Sequence, residues 1–141
     1  MSVARQAGCV AIGGRGLLIE GAPGSGKSSL SLALIDRGAL LVGDDGIVLI
    51  AEADRLIASP HPNILGKLEV RNLGLVDMAV SPPVPVALVI RLDLDAPRFI
   101  ESPESIIIAG IALPLIRLYP DSPVLALRAE MALARYGLTF S

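Results

Sequence analysis

Apolar residues run along this chain in short blocks broken by Gly, Pro or charge, and each block carries a structural expectation. Arg15-Gly16-Leu17-Leu18-Ile19-Glu20 predicts a short buried strand. Behind it Leu30, Ala33 and Leu34 recur at i, i+3, i+4, the spacing of one helix face. That helix is predicted to stop at Gly38, because glycine tolerates the left-handed conformation of a C-cap. Leu40-Leu41-Val42 predicts a second strand, running into Gly43-Asp44-Asp45-Gly46. Ile47 to Ile50 and Leu56 to Ala58 flank the charged turn Glu52-Ala53-Asp54-Arg55 and predict a hairpin. Ser59-Pro60-His61-Pro62-Asn63 reads as a loop by its prolines.

The second half alternates in the same manner. Leu68-Glu69-Val70-Arg71 switches between apolar and charged, as a half-exposed strand does. Ser81-Pro82-Pro83-Val84-Pro85 is a break, and the strand Val86 to Leu92 follows it. Ile106-Ile107-Ile108 and Ile111-Ala112-Leu113 predict short strands around a turn at Gly110. Ser122 is placed to cap a helix that begins at Pro123, runs to about Tyr136 and ends at Gly137. No repeat, low-complexity tract or linker interrupts the chain, so residues 1–141 read as one domain. Mixed strands after a single βα unit predict an α/β fold with irregular antiparallel additions.

The chemistry sits between the first strand and the first helix. Gly21-Ala22-Pro23-Gly24-Ser25-Gly26-Lys27-Ser28 fits G-x-x-x-x-G-K-[ST], the phosphate-binding P-loop, with Ser29 following. Its glycines let backbone N–H groups converge on phosphate oxygens, and the helix N-terminus adds partial positive charge. Lys27 is expected to reach the β- and γ-phosphates, and the Ser28 hydroxyl to ligate Mg²⁺. The expectation is a domain that binds a nucleoside triphosphate.

Composition narrows this reading. Apolar residues make up 52% of the chain, with two Phe, two Tyr and no Trp, so the core is aliphatic, which suits a sheet covered by helices. Ile106 to Ile116, the most hydrophobic stretch, contains Gly110 and Pro114 and is too short and broken for a membrane helix. No secretory signal pattern opens the chain. The single cysteine, Cys9, excludes an intrachain disulfide and agrees with a reducing cytoplasm. A net charge of −2 with scattered arginines offers no stripe for nucleic acid.

A P-loop enzyme also needs a carboxylate near its phosphates. Asp44 and Asp45 lie 17 and 18 residues beyond Lys27, which suits one helix and a return strand beside the P-loop strand. Adjacent carboxylates repel, and a nearby cation would relieve that cost. The alternative is a polar turn in which Asp44 caps the bend. Asp93 and Asp95, after Val86 to Ile90, read as a solvated strand end.

Together, Gly21–Ser28, Asp36-Arg37-Gly38, Leu41-Val42-Gly43-Asp44-Asp45 and Leu68-Glu69-Val70-Arg71-Asn72-Leu73-Gly74-Leu75-Val76 make the chain resemble the HPr kinase/phosphorylase family. The resemblance is to the catalytic domain, in a short form without the N-terminal domain, and is specific from about Ala7 to Met78. It implies a kinase domain of the phosphoenolpyruvate carboxykinase-like type, using ATP and Mg²⁺ to phosphorylate a serine of an HPr-like phosphocarrier protein of the phosphotransferase system. Many members also reverse the reaction, attacking phosphoserine with phosphate and releasing pyrophosphate. By motif, Gly21 to Ser28 would cradle the phosphates and Lys27 would neutralise the transferring group. Ser28 and Glu69 would share Mg²⁺, Asp45 would take the serine proton, and Asp44 would support it. Arg71, on the strand face of Glu69, would contact phosphate or partner. The other reading of Glu69 and Arg71 is a solvated cross-strand ion pair.

The chain departs from the family pattern in named places. Gln6 stands 21 residues before Lys27, where the family usually has histidine, and glutamine carries no proton near neutral pH. The one histidine, His61, sits in a proline-rich loop. Asn72 replaces a usual glycine, and the family's later arginine segment has no counterpart, Arg117 being the nearest. These departures put phosphorolysis in question and leave the kinase direction as the expectation. The alternatives are a nucleotide-binding regulatory module without transfer, and a small-metabolite kinase, which would need an arginine-bearing lid. Arg128 and Arg135 lie seven residues apart on the last helix, where longer relatives meet HPr, or else are solvated on an amphipathic cap. Full-length relatives form hexamers, so the resemblance also carries an expectation of homo-oligomers.

Overall fold

The computed structural model describes residues 2–140. Its strands are β1 (Ser2–Arg5), β2 (Gly8–Ile12), β3 (Arg15–Glu20), β4 (Leu40–Gly43), β5 (Ile47–Glu52), β6 (Arg55–Pro60), β7 (Lys67–Val70), β8 (Gly74–Asp77), β9 (Val84–Leu92), β10 (Glu104–Ile108) and β11 (Ile111–Leu118). Two α-helices, α1 (Lys27–Asp36) and α2 (Leu125–Tyr136), and a 3₁₀ turn at Pro62–Ile64 complete the chain. The fold is α/β with a mixed sheet and a C-terminal helix, as the pattern predicts.

One sheet runs β1-β5-β6-β9-β3-β2-β4, and β11 joins it through β9 with β10 on its outer side. β9 is the seam. Its first residues pair antiparallel with β6, and its later half pairs parallel with β11 on that side. Along its other edge it runs parallel to β3. A separate two-stranded sheet, β7-β8, stands apart.

The aliphatic composition accounts for the layers. Leu17, Leu18 and Ile19 of β3 are all fully buried, as a strand covered on both faces must be. Leu18 points into a cluster with Cys9, Val42, Ile47, Leu49 and Val89. Leu17 and Ile19 point the other way, against Leu30 and Leu34 of α1 and Ala129 and Leu133 of α2. Burial pushes the Cys9 thiol up to about 12, so this cysteine is an inert core residue. Among the described residues no helix is long and apolar enough to cross a membrane.

Several local expectations hold and others are corrected. Gly38 takes φ +108 just beyond α1, and the Glu52–Arg55 hairpin closes as read. The loop expected over Ser59–Asn63 is shorter, because β6 continues through Pro60 and the 3₁₀ turn begins at Pro62. The buried face of α1 takes Ser31 with Leu30 and Leu34, while Ala33 is only half-buried. α2 begins at Leu125, after a turn in which the Ser122 hydroxyl accepts from the Val124 N–H at 3.2 Å. Gly137 ends α2 in an extended conformation, and a side chain there would meet the Leu133 carbonyl at 2.5 Å.

The largest correction concerns β4. It does not lie beside the P-loop strand, because β2 lies between the two, antiparallel to both. β1 and β2 are elements the periodicity leaves unread. The signal for β2 is Gly13-Gly14, which joins Ile12 to Arg15 with positive φ at both residues, the backbone a two-residue hairpin turn requires.

Candidate active site

The loop between β3 and α1 folds as its glycines allow. Gly26 is the N-cap of α1 at φ +104, a conformation costly for a residue with a β-carbon. The Ser25 N–H donates to the Ala22 carbonyl at 3.0 Å, and the Lys27 ammonium donates to the Gly21 carbonyl at 2.9 Å. The loop therefore wraps its own lysine over the start of α1. The unsatisfied N–H groups of that helix and the ammonium put partial positive charge on the loop itself.

Asp44, at the end of β4, reaches the same place. The Ser28 hydroxyl donates to Asp44 Oδ1 at 2.7 Å, and the Glu69 backbone N–H donates to Asp44 Oδ2 at 2.9 Å. One carboxylate thus joins the P-loop, the β4 end and β7. Gly43 makes the turn possible, since a β-carbon there would sit 2.7 Å from the Gly46 carbonyl oxygen and 2.6 Å from Ile47 Cγ2. Asp45 follows with φ +57, a left-handed conformation that aspartate tolerates better than most residues.

A cleft of about 550 Å³ opens here, lined by the loop from Gly21 to Ser29 and by Asp45, Glu69, Arg71, Asn72 and Gln6. The predicted site residues are therefore brought together, with two differences. Ala22 turns from this cleft to a neighbouring one, and Asp44 lies behind the cleft wall at 8% exposure. Among the described residues Asp44 is the one charged side chain that is buried, and it forms no ion pair with them. A buried carboxylate without a cationic partner is costly, which fits a cation bound beside it. Ser28 Oγ, Asp44 and the Glu69 carboxylate are hard oxygen donors, and Mg²⁺ needs only one or two such groups besides phosphate and water.

Arg71 is not on the strand face of Glu69: β7 ends at Val70, and Arg71 lies in the turn to β8. No Glu69–Arg71 ion pair forms among the described residues. Asn72 takes φ +75 in that turn, the backbone a glycine adopts readily, so the replacement keeps the hairpin. Asp93 is no plain solvated strand end. Its carboxylate accepts from the Asp95 N–H at 2.8 Å and from Arg117 at 2.9 Å, and these hold it below the usual carboxylate value. Arg117, also held by Glu104, stands outside the cleft, and His61 accepts from the Asn63 N–H in its own turn.

One feature was not legible from motif spacing. Glu20, immediately before the P-loop, accepts hydrogen bonds from Arg5 and from Arg91, the latter at 3.0 Å. Arg5 and Ala7 are joined by a tight turn, Ala7 N–H to Arg5 carbonyl at 3.1 Å, with Gln6 at its tip and in the cleft wall. An ion pair thus anchors the segment that presents Gln6.

Residues 2–81, more than half of the chain, match the HPr Serine kinase C-terminal domain family. The chain belongs to that family. Relatives include the HPr kinase/phosphorylase of Bordetella pertussis, 48% identical over 66 residues (46% of this chain, 21% of that protein). The HPr kinase/phosphorylase of Chlorobium phaeobacteroides is 31% identical over 123 residues, 78% of this chain and 36% of that protein. The chain thus spans only a fifth to about a third of the length of such relatives. The solved structure of the HPr(Ser) kinase/phosphatase from Coxiella burnetii superposes with a TM-score of 0.83 at 34% identity, covering 94% of each chain. The family's sheet and C-terminal helix are therefore present along nearly the whole chain, beyond residues 2–81 that match the family's domain.

Proposed function

We propose that this domain is an ATP- and Mg²⁺-dependent protein-serine kinase acting on an HPr-like phosphocarrier protein. The observation that carries the reading is the junction at Asp44, which ties Ser28 of the P-loop to Glu69 beside a cleft that also holds Lys27 and Asp45.

In this mechanism the P-loop N–H groups and the N-terminus of α1 hold the phosphates of ATP, and Lys27 neutralises charge on the transferring group. Ser28 and Glu69 would hold Mg²⁺, with Asp44 fixing the Ser28 hydroxyl and the Glu69 backbone between them. When bound, the ion screens the negative charge of the phosphates. The serine oxygen of the carrier forms its bond to the γ-phosphorus while the bond to the β-phosphate oxygen breaks, and ADP leaves. Asp45 positions the attacking hydroxyl and takes its proton late, as a loose transition state requires little help from a base. Gln6 hydrogen-bonds but carries no proton, which favours the forward direction over phosphorolysis.

The test is mass spectrometry of the carrier after incubation with the chain, ATP and Mg²⁺, beside Lys27→Ala and Asp45→Ala. One added phosphate on serine, lost in both variants, is expected. Transfer that persists in Asp45→Ala removes the base assignment. Nucleotide binding without transfer in the unaltered chain favours the regulatory module, for which Gln6 is the specific support.

A further inference from the structure

We propose that a second cavity, on the far side of the P-loop, takes the purine base of the nucleotide and reads its exocyclic amine. The inference rests on the nucleotide-binding reading above and extends it to the choice of base.

The cavity measures about 670 Å³, within the range of small-molecule sites. Pro23, Gly24 and Ser25 line both this cavity and the catalytic cleft, so the P-loop is their common wall. A nucleotide with its phosphates in the cleft has only that loop to cross. The floor lies at the carboxyl ends of three parallel neighbours, β3, β9 and β11, where open α/β sheets place their ligands.

The lining chemistry selects the base end of a nucleotide over the phosphate end. Leu92, Leu94 and Pro120 offer an apolar wall to a flat ring, and Leu94 is 72% exposed there. Asp93, Asp95 and Asp121 make the cavity negative, which repels phosphate. The Asp93 carboxylate is engaged by the Asp95 N–H and by Arg117. Asp95 and Asp121 carry the remaining carboxylates, which act only as acceptors. Their complement at the edge of the ring is a donor: adenine carries a 6-amino group there, whereas hypoxanthine carries a carbonyl oxygen that a carboxylate repels.

Calorimetric titration with ATP, ITP and inorganic triphosphate, each with Mg²⁺, tests this on the intact chain and on the exposed double variant Asp95→Ala/Asp121→Ala. ATP is expected to bind about tenfold more tightly than ITP, the scale of one hydrogen bond to a charged group. The double variant is expected to bring ATP to the level of ITP without weakening triphosphate, which also serves as the control for folding. ATP binding no tighter than inorganic triphosphate, or an ATP preference that survives the double variant, overturns the inference and leaves the P-loop reading standing. An intact chain that binds none of the three ligands overturns both.

Discussion

Ser28 and Asp44 are 16 residues apart, and the serine hydroxyl donates to the carboxylate at 2.7 Å. The same carboxylate accepts the Glu69 N–H, so a single buried charge sets the relative positions of three motifs. That arrangement is the centre from which the expected behaviour of variants follows.

Removing Asp44 is expected to uncouple Mg²⁺ from nucleotide. With Asp44→Ala, Ser28 and Glu69 keep their side chains but lose the group that orients them. Loss of such an outer partner lowers metal affinity about 10–100-fold. ATP affinity measured with Mg²⁺ should fall toward the value in excess chelator, which itself should not change. An unchanged Mg²⁺ dependence would show that Asp44 only caps the turn.

Gly43→Ala tests the turn itself. The new methyl would sit within 2.7 Å of the Gly46 carbonyl and nearer still to Ile47, so backbone has to move. Overpacking of this type costs about 1–3 kcal/mol. Urea unfolding should register that loss, and nucleotide binding should weaken with it because Asp44 and Asp45 are displaced. A midpoint equal to that of the unaltered chain would sink the close-approach argument.

Gln6→His places a proton carrier at the tip of the β1–β2 turn. Phosphorolysis, read as pyrophosphate released from the phosphoserine carrier and phosphate, should rise about 10²-fold, the lower range of general acid–base catalysis. The gained rate should titrate with an apparent pKa near ~6.5. A rate that does not respond would mean that the absence of a proton carrier is not what limits the reverse direction.

Asp93 gives a prediction about acid. The Asp95 N–H and then Arg117 hold its folded pKa below the ordinary 3.8. A lowered folded pKa contributes stability that is present above the unfolded value and is lost as pH falls through the folded one. Asp93→Asn should therefore lower stability by a constant amount at pH 5 and above, and the gap to the unaltered chain should close below pH 3.8. Chemical denaturation across that range checks it, and a gap independent of pH would remove Asp93 as the responsible group.

The linear sequence determined the elements whose signals are local. The P-loop needs a strand, glycines and a helix start within a few residues of one another, and Arg15 to Asp36 supply all three. The Glu52–Arg55 turn and the body of the strand Val86–Leu92 were legible for the same reason, since turn residues and a short apolar run are local signals, although the strand starts at Val84, inside the expected proline break. Asp44, Asp45 and Glu69 were legible as candidates because their motifs occur in order. Tertiary structure alone decided where β4 pairs: β2 and β3 form a local hairpin, but β4 adds to the far edge of β2 and not beside β3, through hydrogen bonds between residues distant in sequence. It decided, too, that Asp44 is the carboxylate touching Ser28, while Asp45 turns to the cleft through a positive φ. Adjacent residues in a chain can face opposite surroundings, and only the packed sheet and the tight turn at Gly43 select which faces which.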